Sequence, residues 1–184
     1  MNHRPPHRAA FASLLFSAIL IHYLFPAAPM ARPAQREHLT PQEIELVRDT
    51  QELDRRTDVF IKAVERRVLL LTDPPAAEKQ AQKDAEKWGE LPKSTRTQLF
   101  SDIARILDEA VTNIDDAAVR SPKSSLLPKS LRKLADACAR FLPQLTPMRD
   151  RAQDELERDR LEQAIENAQE VVGAANKLPP PEKK

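Results

Sequence analysis

Glycine is almost missing from this chain, and that shortage constrains the fold more than any other property. Only 2 Gly occur, against 16 Pro. Hairpin turns need backbone with positive φ, usually supplied by Gly or Asn, so a sheet built from many hairpins is disfavoured. The prolines fall between amphipathic runs, at positions where a missing N–H costs little. An all-α fold is the expectation.

The runs themselves predict the helices. Thr40-Pro41-Gln42-Glu43 is a helix start, with Thr40 as cap, Pro41 in the first turn and Glu43 completing a capping box. The stripe Leu46, Leu53, Phe60, Val64, Val68 and Leu71, widened by Ile61 and carrying Thr50 and Thr57, predicts one long helix over 41–72. At 1.5 Å per residue it would be roughly 45 Å long. Asp73-Pro74-Pro75 ends that helix and caps the next, an exposed one over 76–88 anchored by Trp88 and closed by Gly89. A core helix follows from near Ser94 to Arg120, on Leu99, Phe100, Ile103, Ile106, Leu107, Ala110, Val111 and Ile114.

After a Ser/Pro/Lys loop at 121–127, Pro128 opens a helix that Pro143 stops. Thr146-Pro147 repeats the start signal for a last helix reaching Asn176. Met148, Ala152, Leu156, Ile165, Ala168, Val171 and Val172 are its inward candidates, and its middle, 149–163, is dense in charge. The sum is an up-and-down helical bundle of about five helices, three long and two shorter, over residues 40–176. A linker at 32–39 precedes it and a disordered tail at 177–184 follows.

Residues 1–31 read as an address. Arg4, Arg8, His3 and His7 come first with no acid, then the apolar run 9–25, then PAAPMARPA. This is the pattern of a Sec-type export signal, or of an uncleaved membrane anchor, since no clean A-x-A cleavage site is present. No Cys follows the run, so a lipoprotein signal is not expected. Without residues 1–31 the chain carries 27 basic and 28 acidic side chains, which gives no global field for nucleic acid.

The commonest catalytic sets are absent. His38 is the only histidine after the apolar run, so no Ser-His-Asp or Cys-His arrangement and no His-containing zinc site can assemble in the body. The Glu-x-x-His pairs of di-iron bundles, a C-x-x-C-H haem motif and Gly-rich phosphate loops are also missing. The single cysteine, Cys138, shares a stripe with Leu131, Leu134, Phe141 and Leu142 and is expected to be a buried small hydrophobe. Asp108, Glu109, Asp115 and Asp116 lie along a helix among basic residues, as in a solvated ion-pair face rather than a metal site. The doublets Arg55-Arg56 and Arg66-Arg67, interspersed with Glu52, Asp54, Asp58 and Glu65, read as an amphipathic surface. No catalytic, cofactor-binding or metal-binding residue is assigned, and no cofactor is implied.

Leu39-Thr40-Pro41-Gln42-Glu43 and Leu145-Thr146-Pro147-Met148-Arg149 each resemble the start of the LTxxQ motif of small exported helical proteins of the envelope-stress chaperone family. Glu43 and Arg149 stand where that motif has Gln, and the likeness covers ten residues, so the family's function is not carried over. The expected function is an exported, non-enzymatic protein-interaction or structural module that binds a protein partner or itself, not nucleic acid. An envelope chaperone-like stress binder and a helical spacer tethered to the membrane through residues 9–25 are the alternatives.

Overall fold

The computed structural model describes residues 37–180. The export signal or anchor at 1–31 lies outside the described residues, as do residues 32–36 of the linker and 181–184 of the tail. Among the described residues the chain is all-helical. It forms α1 (Pro41–Asp49), α2 (Leu53–Thr72), α3 (Pro74–Trp88), α4 (Arg96–Arg120), α5 (Leu126–Leu145), a 3-10 helix (Thr146–Arg151) and α6 (Glu155–Asn176).

The helix starts follow from local chemistry. At α1 the Thr40 hydroxyl accepts the Glu43 N–H at 3.3 Å, and Glu43 Oε2 accepts the Thr40 N–H at 2.9 Å. Thr95 and Gln98 make the same reciprocal pair at α4. Asp73 caps α3 by accepting from the Ala76 N–H, and Gly89 closes it at φ 60°. A side chain there would meet Gln42 Cβ at 3.1 Å, so glycine suits this turn on two counts.

The expected single helix over 41–72 is instead two helices, broken at Thr50–Glu52. Arg56 Nε donates to the Thr50 carbonyl at 2.7 Å and Gln51 Nε2 to the Arg48 carbonyl at 2.8 Å, satisfying acceptors that the break exposes. The cause lies further along the chain. Glu43 pairs with Arg66 at 2.8 Å, 23 residues away. In one continuous helix those residues would be about 35 Å apart, so the pair forms only if the chain turns back. Apolar spacing runs through the break because both helices bury the same side.

Two proline-based boundaries also move. Pro128 sits inside the first turn of α5, which starts at Leu126, and Pro143 lies within its last turn instead of stopping it. The helix continues to Leu145, which is fully buried, and the Thr146 hydroxyl donates to the Leu142 carbonyl at 2.8 Å. Thr146-Pro147 therefore begins a 3-10 helix, not the last α-helix. That helix starts at Glu155, with Asp154 accepting the Glu157 N–H at 2.7 Å. In this register Leu161, Ala164, Ile165, Ala168 and Val171 face inward, and Leu156, expected inside, is 54% exposed.

The core is shared by four helices in a closed cycle: α2 packs on α4 and α5, and α6 packs on α4 and α5. Phe60, Phe100, Ile106, Leu134, Leu145 and Ile165 are among its fully buried side chains, each contributing about 1.5–3 kcal/mol by leaving water. Asn167 Nδ2 donates to the Ala104 carbonyl at 2.9 Å, tying α6 to α4. α1 and α3 pack on α2. After α6 the N–H groups of Lys177 and Leu178 donate to the Ala174 and Ala175 carbonyls, and the Pro179 carbonyl accepts from Arg132 of α5. Among the described residues no helix is long and apolar enough to cross a membrane.

Candidate protein-interaction groove

The doublet read as solvated surface turns out to organise the fold. Arg66 and Arg67 are only 6% and 1% exposed, and both hold the fully buried Glu43. Arg67 donates to both Glu43 oxygens, at 3.0 and 2.8 Å, to the Ala63 carbonyl at 2.8 Å and to the His38 carbonyl at 2.6 Å. Its Nε lies 3.8 Å from the buried Asp102 carboxylate on α4. Arg66 donates to Glu43 and then to three consecutive carbonyls, of Trp88, Gly89 and Glu90, at 2.9, 3.1 and 2.7 Å. Burial pulls the Arg66 pKa down, and the Glu43 carboxylate opposes that pull.

This cluster fixes the end of α3 against α2. The Arg66 guanidinium also lies 5.8 Å from the centre of the buried Trp88 ring, which serves as the packing anchor of α3. One signal for the cluster was present in the sequence. Arg67 falls seven residues after Phe60 and three after Val64, on the same buried stripe. Nothing local indicated that the partner would be Glu43.

With α3 fixed on one side and α5 on the other, α2 becomes the floor of a groove. One stretch, about 390 Å³, is lined by Val68, Leu69, Ala77 and Phe141 together with Lys62, Glu65, Asp84 and Arg140. A second, about 1290 Å³, continues over Ile61, Trp88, Pro122, Pro128, Pro179 and Pro180. Both are lined by Lys62, Glu65 and Arg140. Six cations border the larger stretch (Lys62, Lys123, Lys129, Arg132, Lys133 and Arg140) against three carboxylates, Asp58, Glu65 and Asp136.

Ion pairs set the groove's rims. Lys129 reaches Asp54 at 2.6 Å, Lys133 reaches Asp58 at 2.8 Å and Asp54 at 3.5 Å, Arg140 reaches Glu65 at 3.3 Å, and Lys62 reaches Asp84 at 3.4 Å. The Lys129 hydrogen bond holds the Asp54 pKa below the usual aspartate value and raises that of Lys129 in return. The hydrogen bond from Gln80, at 2.7 Å, and then Lys62 lower that of Asp84.

The other singled-out residues take structural positions. Cys138 is fully buried, and desolvation pushes its thiol pKa up to about 12, away from thiolate chemistry. His38, expected in a flexible linker, donates from Nε2 to Glu109 at 2.6 Å while its carbonyl receives Arg67. Arg55 pairs with Glu52 at 2.9 Å, and Arg56 reaches Asn113 at 3.4 Å. Asp108 and Asp115 border a separate cavity between α4 and α6. Among the described residues no group of three or more His, Cys, Asp or Glu side chains is arranged to hold a metal. The two Leu-Thr-Pro segments diverge: Thr40 caps a helix, and Thr146 bonds backward.

No protein-family model matches the chain, and neither a curated protein nor a solved structure matches it.

Proposed function

We propose that this chain is an exported, non-enzymatic interaction module that holds a protein segment in the groove between α3 and α5. The carrying observation is the groove itself. Two adjoining stretches of about 390 and 1290 Å³ share Lys62 and Glu65 of α2 and Arg140 of α5, and their borders mix apolar and cationic side chains. A long open cleft of that composition suits a helix or extended peptide better than a small enclosed ligand. Export rests on the basic start and apolar run of residues 1–25, which would act either as a cleaved signal or as a tether to the membrane. In this reading α2, α4, α5 and α6 form an up-and-down bundle, and α3 is an outrigger that walls the cleft.

Site-specific photo-crosslinking in the native envelope tests the proposal. A crosslinker at Lys62 or Arg132 should capture one protein species, and one at Glu45 on α1 should not. Capture of the same species from all three positions, or from none, would remove the groove as the binding site.

A further inference from the structure

Most cations of the groove are held by carboxylates: Lys62 by Asp84, Lys129 by Asp54, Lys133 by Asp58 and Arg140 by Glu65. Arg132 is held differently. Among the described residues no carboxylate lies within ion-pair distance of it, and its guanidinium donates to the Pro179 carbonyl. That carbonyl belongs to the end of the chain. α6 finishes at Asn176, Leu178 is half-buried, and Pro179 and Pro180 border the larger stretch of the groove beside Pro122 and Pro128. The sequence there, Leu178-Pro179-Pro180-Pro181-Glu182-Lys183-Lys184, suits that position. Proline has no N–H and a fixed φ, so three in a row favour an extended segment whose free backbone groups are carbonyls. A guanidinium supplies matching donors, and a segment already set in shape loses little freedom when it is held.

From this placement we infer that residues 178–184 are a strap across the Arg132 end of the groove, an occupant supplied by the chain itself that an incoming protein segment must displace. The inference rests on the groove reading above and adds its regulation. The strap is short. The five residues beyond Pro179 reach about 15 Å when extended at about 3.1 Å per residue. Arg132 borders the larger stretch and Gln144 the smaller, and the two are about 18 Å apart along α5. The strap therefore leaves the Phe141 end of the groove open as a foothold, from which an incoming segment can peel it away. A hydrogen bond to a charged group shifts such an equilibrium by about tenfold or more. That is enough to favour the closed state and small enough for a partner to overcome.

A peptide of residues 178–184, titrated into isotope-labelled protein and followed by amide chemical shifts, tests this. A short tether supplies a local concentration in the millimolar range, so a tail that sits in the groove must also bind when added free, and the titration runs to about 10 mM. A chain ending at Leu178 should bind the peptide, with shifts at Lys129 and Arg132 and none at Glu45 of α1. The full chain, whose own tail competes, should bind it about tenfold or more weakly. Arg132→Ala in the shortened chain should weaken binding by about tenfold, with helical circular dichroism unchanged. The full chain gives a second readout that needs no truncation: Arg132→Ala should move the amide shifts of residues 182–184 to those of the free peptide. No binding by the shortened chain, equal affinity in the two chains, or wild-type tail shifts that already match the free peptide overturns the inference. The two readings fail separately. A species captured by the crosslinker at Lys62 together with no peptide binding overturns the strap and keeps the groove, whereas peptide binding at Arg132 with no captured species keeps the strap and removes the partner.

Discussion

Replacing Glu43 by Gln keeps the size of the side chain, removes its charge and puts an NH2 donor where one of two acceptor oxygens stood. Two guanidinium groups, 6% and 1% exposed, then face a neutral amide. They keep their carbonyl partners, three for Arg66 and two for Arg67. Among the described residues the other carboxylate within ion-pair reach is Asp102, at 3.8 Å from Arg67. Removing one partner of a buried pair costs about 3–5 kcal/mol, because the remaining charge is desolvated without compensation. We expect a loss in that range for Glu43→Gln. Glu43→Ala should be no milder, since it also withdraws the acceptor for the Thr40 N–H. With a urea slope of about 2 kcal/mol/M, the unfolding midpoint should fall by about 2 M at unchanged slope. Trp88 emission reports the transition, because the Trp88 carbonyl is bound by Arg66. A double-mutant cycle with Arg67→Met should give a coupling near the upper end of the usual 0.5–3 kcal/mol. A loss under about 1 kcal/mol would refute the reasoning, because it would mean the cluster is hydrated or the arginines find other compensation.

Three further outcomes follow from burial and charge. Cys138, buried with its pKa pushed up to about 12, should resist a thiol reagent at pH 8 in the native protein and react promptly in denaturant; fast labelling of the native chain would contradict its burial. Asp54 gives up its proton more readily folded than unfolded. Its stabilising contribution is therefore present above the ordinary aspartate pKa of 3.8 and is lost as pH falls through the depressed folded value. Asp54→Asn should accordingly show a shallower loss of stability below pH 3.8 than the wild type, and identical acid profiles would exclude this contribution. Ile106→Ala, at a fully buried site, should cost about 2–5 kcal/mol, whereas Leu156→Ala, at a site 54% exposed, should change stability by about 0.5 kcal/mol or less. Equal effects at the two sites would contradict the register of α6.

The starts of α1 and α3 were legible because a cap is a contact over three residues: Thr40 with Glu43 and Asp73 with Ala76. The buried stripe of α4 and the seclusion of Cys138 were legible for a similar reason, since helical periodicity reports which side faces the core. Local patterns failed where core packing or a competing hydrogen bond overrode them. Pro143 reads as a stop, but burial of Leu145 carries α5 past it. Thr146-Pro147 reads as a start, but the threonine hydroxyl bonds backward to Leu142.

The shortage of glycine, the placement of prolines and the capped apolar stripes thus determined by themselves that this chain would be helical and roughly where most of its helices lie. All of these act within a few residues, at the range of a helical turn. Tertiary structure alone decided that the first long stripe breaks in two. It also decided that Arg66 and Arg67 turn inward to Glu43, and that α3 is held far enough from α5 to leave a groove over α2. The physical reason is the reach of a buried charge. A guanidinium withdrawn from water must find a carboxylate wherever the chain can bring one, and here that partner lies 23 residues back from Arg66 and 24 from Arg67.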